Sequence, residues 1–222
     1  MANYYKEKLS AQNLFQVYDT QMQRIKQYLQ AEIDFVKENL LKSHNVLELG
    51  AGYGRIMSKL APYCNSITGI DISKENIDLG KEYLNEYPNT KMVVMDVHNM
   101  HFTEPFHVIL CLQNGLSAMG ADTATIHKIM KILAPGGTAY FSSYSTKFWD
   151  IRLKWFEEQA SKGLLGEIDY SQTGNGVIIC KDGFKGITHT VEDFKKIGEE
   201  LGYPYDIEEV DESSLFLIVH KQ

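Results

Sequence analysis

Short apolar runs alternate with amphipathic stretches along most of this chain. Runs at residues 46–49, 67–70, 92–95, 108–112 and 138–143 have the length of buried strands. Between them, apolar positions recur at helical spacing over residues 55–61, 74–87 and 123–133, the second with Ser73 placed to cap it. Alternation of this kind predicts parallel strands with helices on both faces of the sheet. The pattern then changes: a helix over residues 191–201 is followed by two strands, 205–210 and 215–220, joined by a short polar turn. Strands so closely joined must pair antiparallel.

Two segments depart from the alternation. Residues 1–42 read as a helical cap, with Ile25, Leu29, Ile33, Val36 and Leu40 spaced by three and four. Residues 144–189 read as an insertion after the fifth strand, an aromatic helix followed by a three-stranded antiparallel meander, with turns at Gly174-Asn175-Gly176 and Asp182-Gly183. The domain organisation that follows is a cap at 1–42 and a main domain at 43–222 that carries an inserted lid.

Composition narrows the class. The 222 residues, 44% hydrophobic, suffice for one elaborated α/β domain. A net charge of -7 without a basic block argues against a phosphate-backbone partner. The chain shows neither a signal-peptide core nor a run of roughly 18 apolar residues, so a cytoplasmic protein without membrane contact is expected. Cys64, Cys111 and Cys180 lie far apart without CxxC spacing, which predicts buried thiols rather than a metal site or a disulfide frame.

The candidate chemistry begins at "VLELGAGYGR", where a strand, a glycine-rich turn and a helix follow one another as in a nucleotide-binding unit. Gly50, Gly52 and Gly54 let the backbone turn tightly and approach a ligand. Their GxGxG spacing, with Arg55 in the place of the last glycine of GxGxxG, departs from the dinucleotide fingerprint. Glu48 lies inside the apolar strand, where a carboxylate needs a partner such as a cationic ligand group or a local donor. Asp71 ends the second strand, placed to accept from both hydroxyls of a ribose. Asp96, after the third strand, either accepts from an adenine amino group or caps its own loop.

With these motifs the chain resembles the class I S-adenosylmethionine-dependent methyltransferases, through VLELGAGYGR, IDIS, MDV, FHVILCLQNGL and LAPGG in order. The resemblance implies a Rossmann-like sheet of seven strands ordered 3-2-1-4-5-7-6, the last antiparallel. It implies that the Gly50 to Gly54 loop wraps the methionine moiety and that Glu48 lies near its amino group. Asp71 and Ile72 would then hold the ribose, Asp96 and Val97 the adenine, and Leu112 and Asn114 would flank the methyl group. His107 stands where the family often has Asp.

The acceptor region is less determined. Seven of the seventeen residues from Tyr140 to Phe156 are aromatic, including both tryptophans. Tyr18, Tyr144, Trp149 and Trp155 are candidate walls of an acceptor site, with ordinary packing as the alternative for each ring, and Tyr4 and Tyr5 raise the same choice. Catalysis of methyl transfer rests on alignment, and only a hydroxyl acceptor usually needs a base. Asn114, His98 and His189 are the candidate catalytic groups, none of them fixed by pattern. The expected activity is methyl transfer to a small-molecule acceptor, an amine rather than a hydroxyl. The alternatives are a non-catalytic S-adenosylmethionine-binding domain or a nicotinamide-dependent oxidoreductase. No metal is implied, and the oligomeric state is open.

Overall fold

The computed structural model describes Tyr4, Lys8, Leu9 and residues 11–222; Tyr5 lies outside the described residues. The helices are α1 (Gln12–Tyr18), α2 (Gln23–Glu38), α3 (Arg55–Leu60), α4 (Lys74–Tyr83), α5 (Gly115–Met119), α6 (Thr123–Ile132), α7 (Trp149–Ser161) and α8 (Val191–Leu201). The strands are β1 (Asn45–Leu49), β2 (Ser66–Asp71), β3 (Thr90–Val94), β4 (Phe106–Cys111), β5 (Leu133–Tyr144), β6 (Val177–Ile179), β7 (Lys185–Ile187), β8 (Tyr205–Val210) and β9 (Ser214–His220). Seven strands form one sheet in the order β3-β2-β1-β4-β5-β9-β8. β1 to β5 are parallel, and β9 runs antiparallel between β5 and β8. This is the sheet the motifs implied.

Side-chain parity explains why the central strands are apolar throughout. Val46, Val108, Leu110, Tyr140 and Phe216 pack on one face against Ile33 and Val36 of α2 and Ile56, Met57 and Leu60 of α3. Their neighbours Leu47, Ile109, Cys111, Phe141 and Leu217 pack on the other against Ile126, Ile129 and Met130 of α6 and Phe194 of α8. A strand covered on both sides has no polar face. The helix ends also follow local chemistry: the Ser73 hydroxyl accepts from Asn76 N at the start of α4, and Thr190 and Asp193 form a capping box on α8. All three cysteines are buried thiols.

The meander is corrected. Only β6 and β7 pair, and the third segment is reduced to a single bridge between Ile168 and Cys180. Around Ile168 the chain is too polar to extend that bridge: Glu167 is exposed, and the Asp169 carboxylate accepts from Ser171 N, turning the backbone away. β5 is longer than expected, because Leu133 already pairs with Phe106 ahead of the Gly136-Gly137 step. α1, α2, α7 and the β6–β7 region share a third apolar cluster that includes Ile25, Tyr28, Leu29, Phe148, Trp155 and Phe184. Among the described residues, no helix is long and apolar enough to cross a membrane.

Candidate active site

Strand order lines up the chemistry. The C-terminal ends of β3, β2, β1 and β4 stand side by side, so Asp96, Asp71, Glu48 and Leu112–Gln113 follow one another along one rim of the sheet. There a cavity of ≈ 270 Å³ opens, lined by Glu48, Gly50, Gly52, Asp71, Ile72, Asp96, Val97 and Leu112. Its roof comes from the N-terminal segment through Leu9, Leu14 and Tyr18. Ligand sites of open α/β sheets lie at this rim.

The glycine loop is held by the next strand. Gly52 N–H donates to Asp71 Oδ2 at 3.0 Å, while Asp71 Oδ1 accepts from Ser73 N at 2.8 Å and from Asn76 Nδ2 at 3.2 Å. Gly52 has φ +55°, and a Cβ on it would come within 2.6 Å of Leu14 Cδ2, so only glycine fits beneath the roof. Gly54 does not line the cavity; it caps α3 in the left-handed region, with Leu84 Cδ1 2.6 Å from where its Cβ would be. Asp96 caps its own loop, its Oδ1 accepting from His98 N at 2.9 Å, and it also lines the cavity.

Glu48 is 3% exposed, and its Oε2 has no hydrogen-bond partner among the described residues. Burial pushes its carboxyl up to about 8, against the opposing pull of Arg55. Arg55 lines the same cavity and stacks its guanidinium 4.5 Å over the Tyr18 ring. Tyr53 is buried, stacked on Phe15 and edge-on to Tyr83.

Other candidates fall elsewhere. Asn114 does not line the cavity: its Oδ1 accepts from Ser143 Oγ and its Nδ2 donates to Ile187 O, both at 2.8 Å, tying β5 to the insertion. His98 lines the cavity, but its ring nitrogens are engaged by Thr125 Oγ1 at 2.9 Å and Met119 O at 3.2 Å. His189 lies apart, stacked on Phe194 with its Nδ1 buried without a partner among the described residues, and burial holds its ring below the usual value. Tyr144 and Trp149 line a second cavity of ≈ 350 Å³ beside Arg152, whose guanidinium lies 4.4 Å over Tyr144. Trp155 lines neither cavity; it is buried and donates from Nε1 to Val17 O at 3.2 Å. His107 accepts from Asn45 N at the far end of the sheet.

Two residues that pattern reading missed, Gln113 and Glu32, meet at the β4 end. Gln113 and Asn114 are successive left-handed residues, φ 55° and 61°. The Gln113 N–H is held by Ser142 Oγ at 2.8 Å and by Glu32 Oε2 at 3.1 Å. Glu32 reaches there from α2, fully buried, with Oε1 accepting from Ser214 Oγ at 2.8 Å, and burial pushes it up to about 7.

Residues 46–137 match a family model described as a methyltransferase domain. Over those residues the chain is similar to a methyltransferase domain. Nodulation protein S of Rhizobium tropici is 32% identical over 101 residues, which are 45% of this chain and 42% of that protein. The chain spans about half the length of the curated relatives it matches. Among solved structures, the N-methyltransferase NodS from Bradyrhizobium japonicum in complex with S-adenosyl-L-homocysteine aligns over 99% of this chain and 97% of that one, with TM-score 0.59 and 16% identity. A SAM-dependent methyltransferase from Methanosarcina mazei aligns over 84% and 96%, with TM-score 0.62 and 18% identity. At these identities the likeness is one of fold.

The cavity fits S-adenosylmethionine by its own inventory of groups. It offers three carboxylates and one guanidinium; the cofactor carries an ammonium, a ribose diol, an adenine amino group and one carboxylate. A dinucleotide fits poorly, because Gly52 N–H, which would face a pyrophosphate, is occupied by Asp71.

Proposed function

We propose that the protein transfers a methyl group from S-adenosylmethionine to a small-molecule amine. The observation that carries the reading is the row of Glu48, Asp71 and Asp96 along one rim, which meets the amino, ribose and adenine ends of that ligand in order. When bound, the cofactor supplies a methyl carbon on a positively charged sulfur. Everything else falls to the chain: the glycine loop and Asp71 fix the ligand, Leu112 and Gln113 bound the end where an acceptor arrives, and Leu9, Leu14 and Tyr18 exclude water. An amine acceptor agrees with two observations: both ring nitrogens of His98, the histidine in the cavity, are engaged, and the NodS structure named above is an N-methyltransferase. An amine needs only to arrive unprotonated.

Within this reading, residues 1–42 act as a cap and 144–189 as a lid, with Tyr18, Tyr144 and Trp149 toward the acceptor. The test is a screen of small amines and alcohols with methyl-labelled S-adenosylmethionine. Label is expected on an amine nitrogen; label on oxygen overturns the N-methyl assignment. S-adenosylhomocysteine binding without transfer to any acceptor favours a non-catalytic binding domain.

A further inference from the structure

Among the described residues, Arg55 is the only arginine or lysine lining the cavity, and neither the glycine motif nor the row of carboxylates accounts for it. Its Nη2 is buried without a hydrogen-bond partner among the described residues, and so is Glu48 Oε2. The two lie in one cavity, yet neither satisfies the other. A buried charged donor and a buried carboxyl oxygen left open in one cavity are costly unless a ligand closes both. The ligand group that does so carries a cation and an anion on one carbon: an α-amino acid.

We propose that Arg55 anchors the α-carboxylate of the cofactor and so makes the site select ligands with a complete amino-acid end. The proposal rests on the S-adenosylmethionine reading of the cavity. Tyr18 supports it geometrically, because a ring 4.5 Å from the guanidinium restrains that planar group and covers it from water. A guanidinium–carboxylate contact in such a site is charge-assisted and directional.

A competing role for Arg55 is to balance the buried carboxyls of Glu48 and Glu32, both of which feel its charge. Two ligands separate these roles. S-adenosylhomocysteine has both ends, whereas S-adenosyl-3-thiopropylamine keeps the ammonium and lacks the carboxylate. In calorimetry, the wild type should bind the first roughly 10- to 150-fold more tightly, the range of a hydrogen bond to a charged group. Arg55→Gln should reduce that preference to within about threefold while leaving the affinity for the amine analogue near its wild-type value. Equal weakening of both ligands, or an unchanged preference, overturns the anchor. Arg55→Lys keeps the charge that Glu48 and Glu32 feel but loses the planar fork, so the preference should fall part-way; a full wild-type preference there also overturns the proposal, and this comparison stands if Arg55→Gln does not fold. A wild type that binds neither ligand overturns the cofactor reading itself, and one that binds both equally overturns Arg55 alone.

Discussion

Binding of S-adenosylhomocysteine should release a proton, and Glu48 is its source. Burial holds the carboxyl up to about 8, with Arg55 pulling it down and Asp71 pushing it up. At pH 7 roughly nine in ten molecules therefore carry the proton. Pairing with the ligand's ammonium requires the carboxylate, so binding at pH 7 should release about 0.9 proton. It should also forgo about 1.4 kcal/mol relative to a pH above the carboxyl's own pKa. Affinity should rise about tenfold from pH 6 to 7, flatten near 8, and fall again where the ligand's amino group loses its own proton. Calorimetry at one pH in two buffers of different ionisation enthalpy counts the protons directly. Glu32 is the other carboxyl held up to about 7 nearby, so Glu48→Gln and Glu32→Gln must be compared. Release should vanish in the first and persist in the second. No release in the wild type, or the same release in Glu48→Gln, refutes the argument.

Three further outcomes follow from the same contacts. Between pH 4.5 and 8 the folded protein should hold protons on Glu32 and Glu48 that the unfolded chain has lost, so ligand-free stability should fall by a few kcal/mol as pH rises through that window; urea titrations across it check the sign. Asp71→Ala removes the acceptor of Gly52 N–H as well as the proposed ribose contact, and should weaken S-adenosylhomocysteine binding by about 2 to 4 kcal/mol in calorimetry. Trp155→Ala should lower stability by about 3 to 5 kcal/mol in chemical denaturation, because the ring is core and lines neither of the two cavities described.

The carboxylate row was legible because each member sits at the C-terminal end of its own strand, and strand ends are set by local pattern. Glu48, Asp71 and Asp96 could therefore be placed from spacing alone, and the sheet order brought them together. Packing is a different matter. Trp149 and Trp155 are six residues apart in one aromatic segment, and composition cannot tell that one faces a cavity while the other donates to Val17 O in the core. The third strand of the insertion failed for the same reason: alternation suggests a strand, but pairing needs a partner edge, and only Cys180 was available to Ile168.

Glu32 shows what long-range contact adds. It lies 81 residues from Gln113, which no local rule connects. A signal was nonetheless present: Glu32 falls on the apolar stripe of Ile25, Leu29, Ile33 and Val36, and a carboxylate on a buried face demands partners. Its partners are the Gln113 peptide at the end of β4 and Ser214 at the start of β9. The next residue, Asn114, joins Ser143 of β5 to Ile187 of the insertion. The end of β4 is therefore tied at once to α2 and to the inserted segment. Gln113, at the proposed acceptor end of the cavity, is held by α2, and its neighbour Asn114 by the insertion. On the proposed reading, a change in α2 or in the insertion should alter acceptor geometry through the β4 end while sparing the Asp71 and Asp96 side of the cavity.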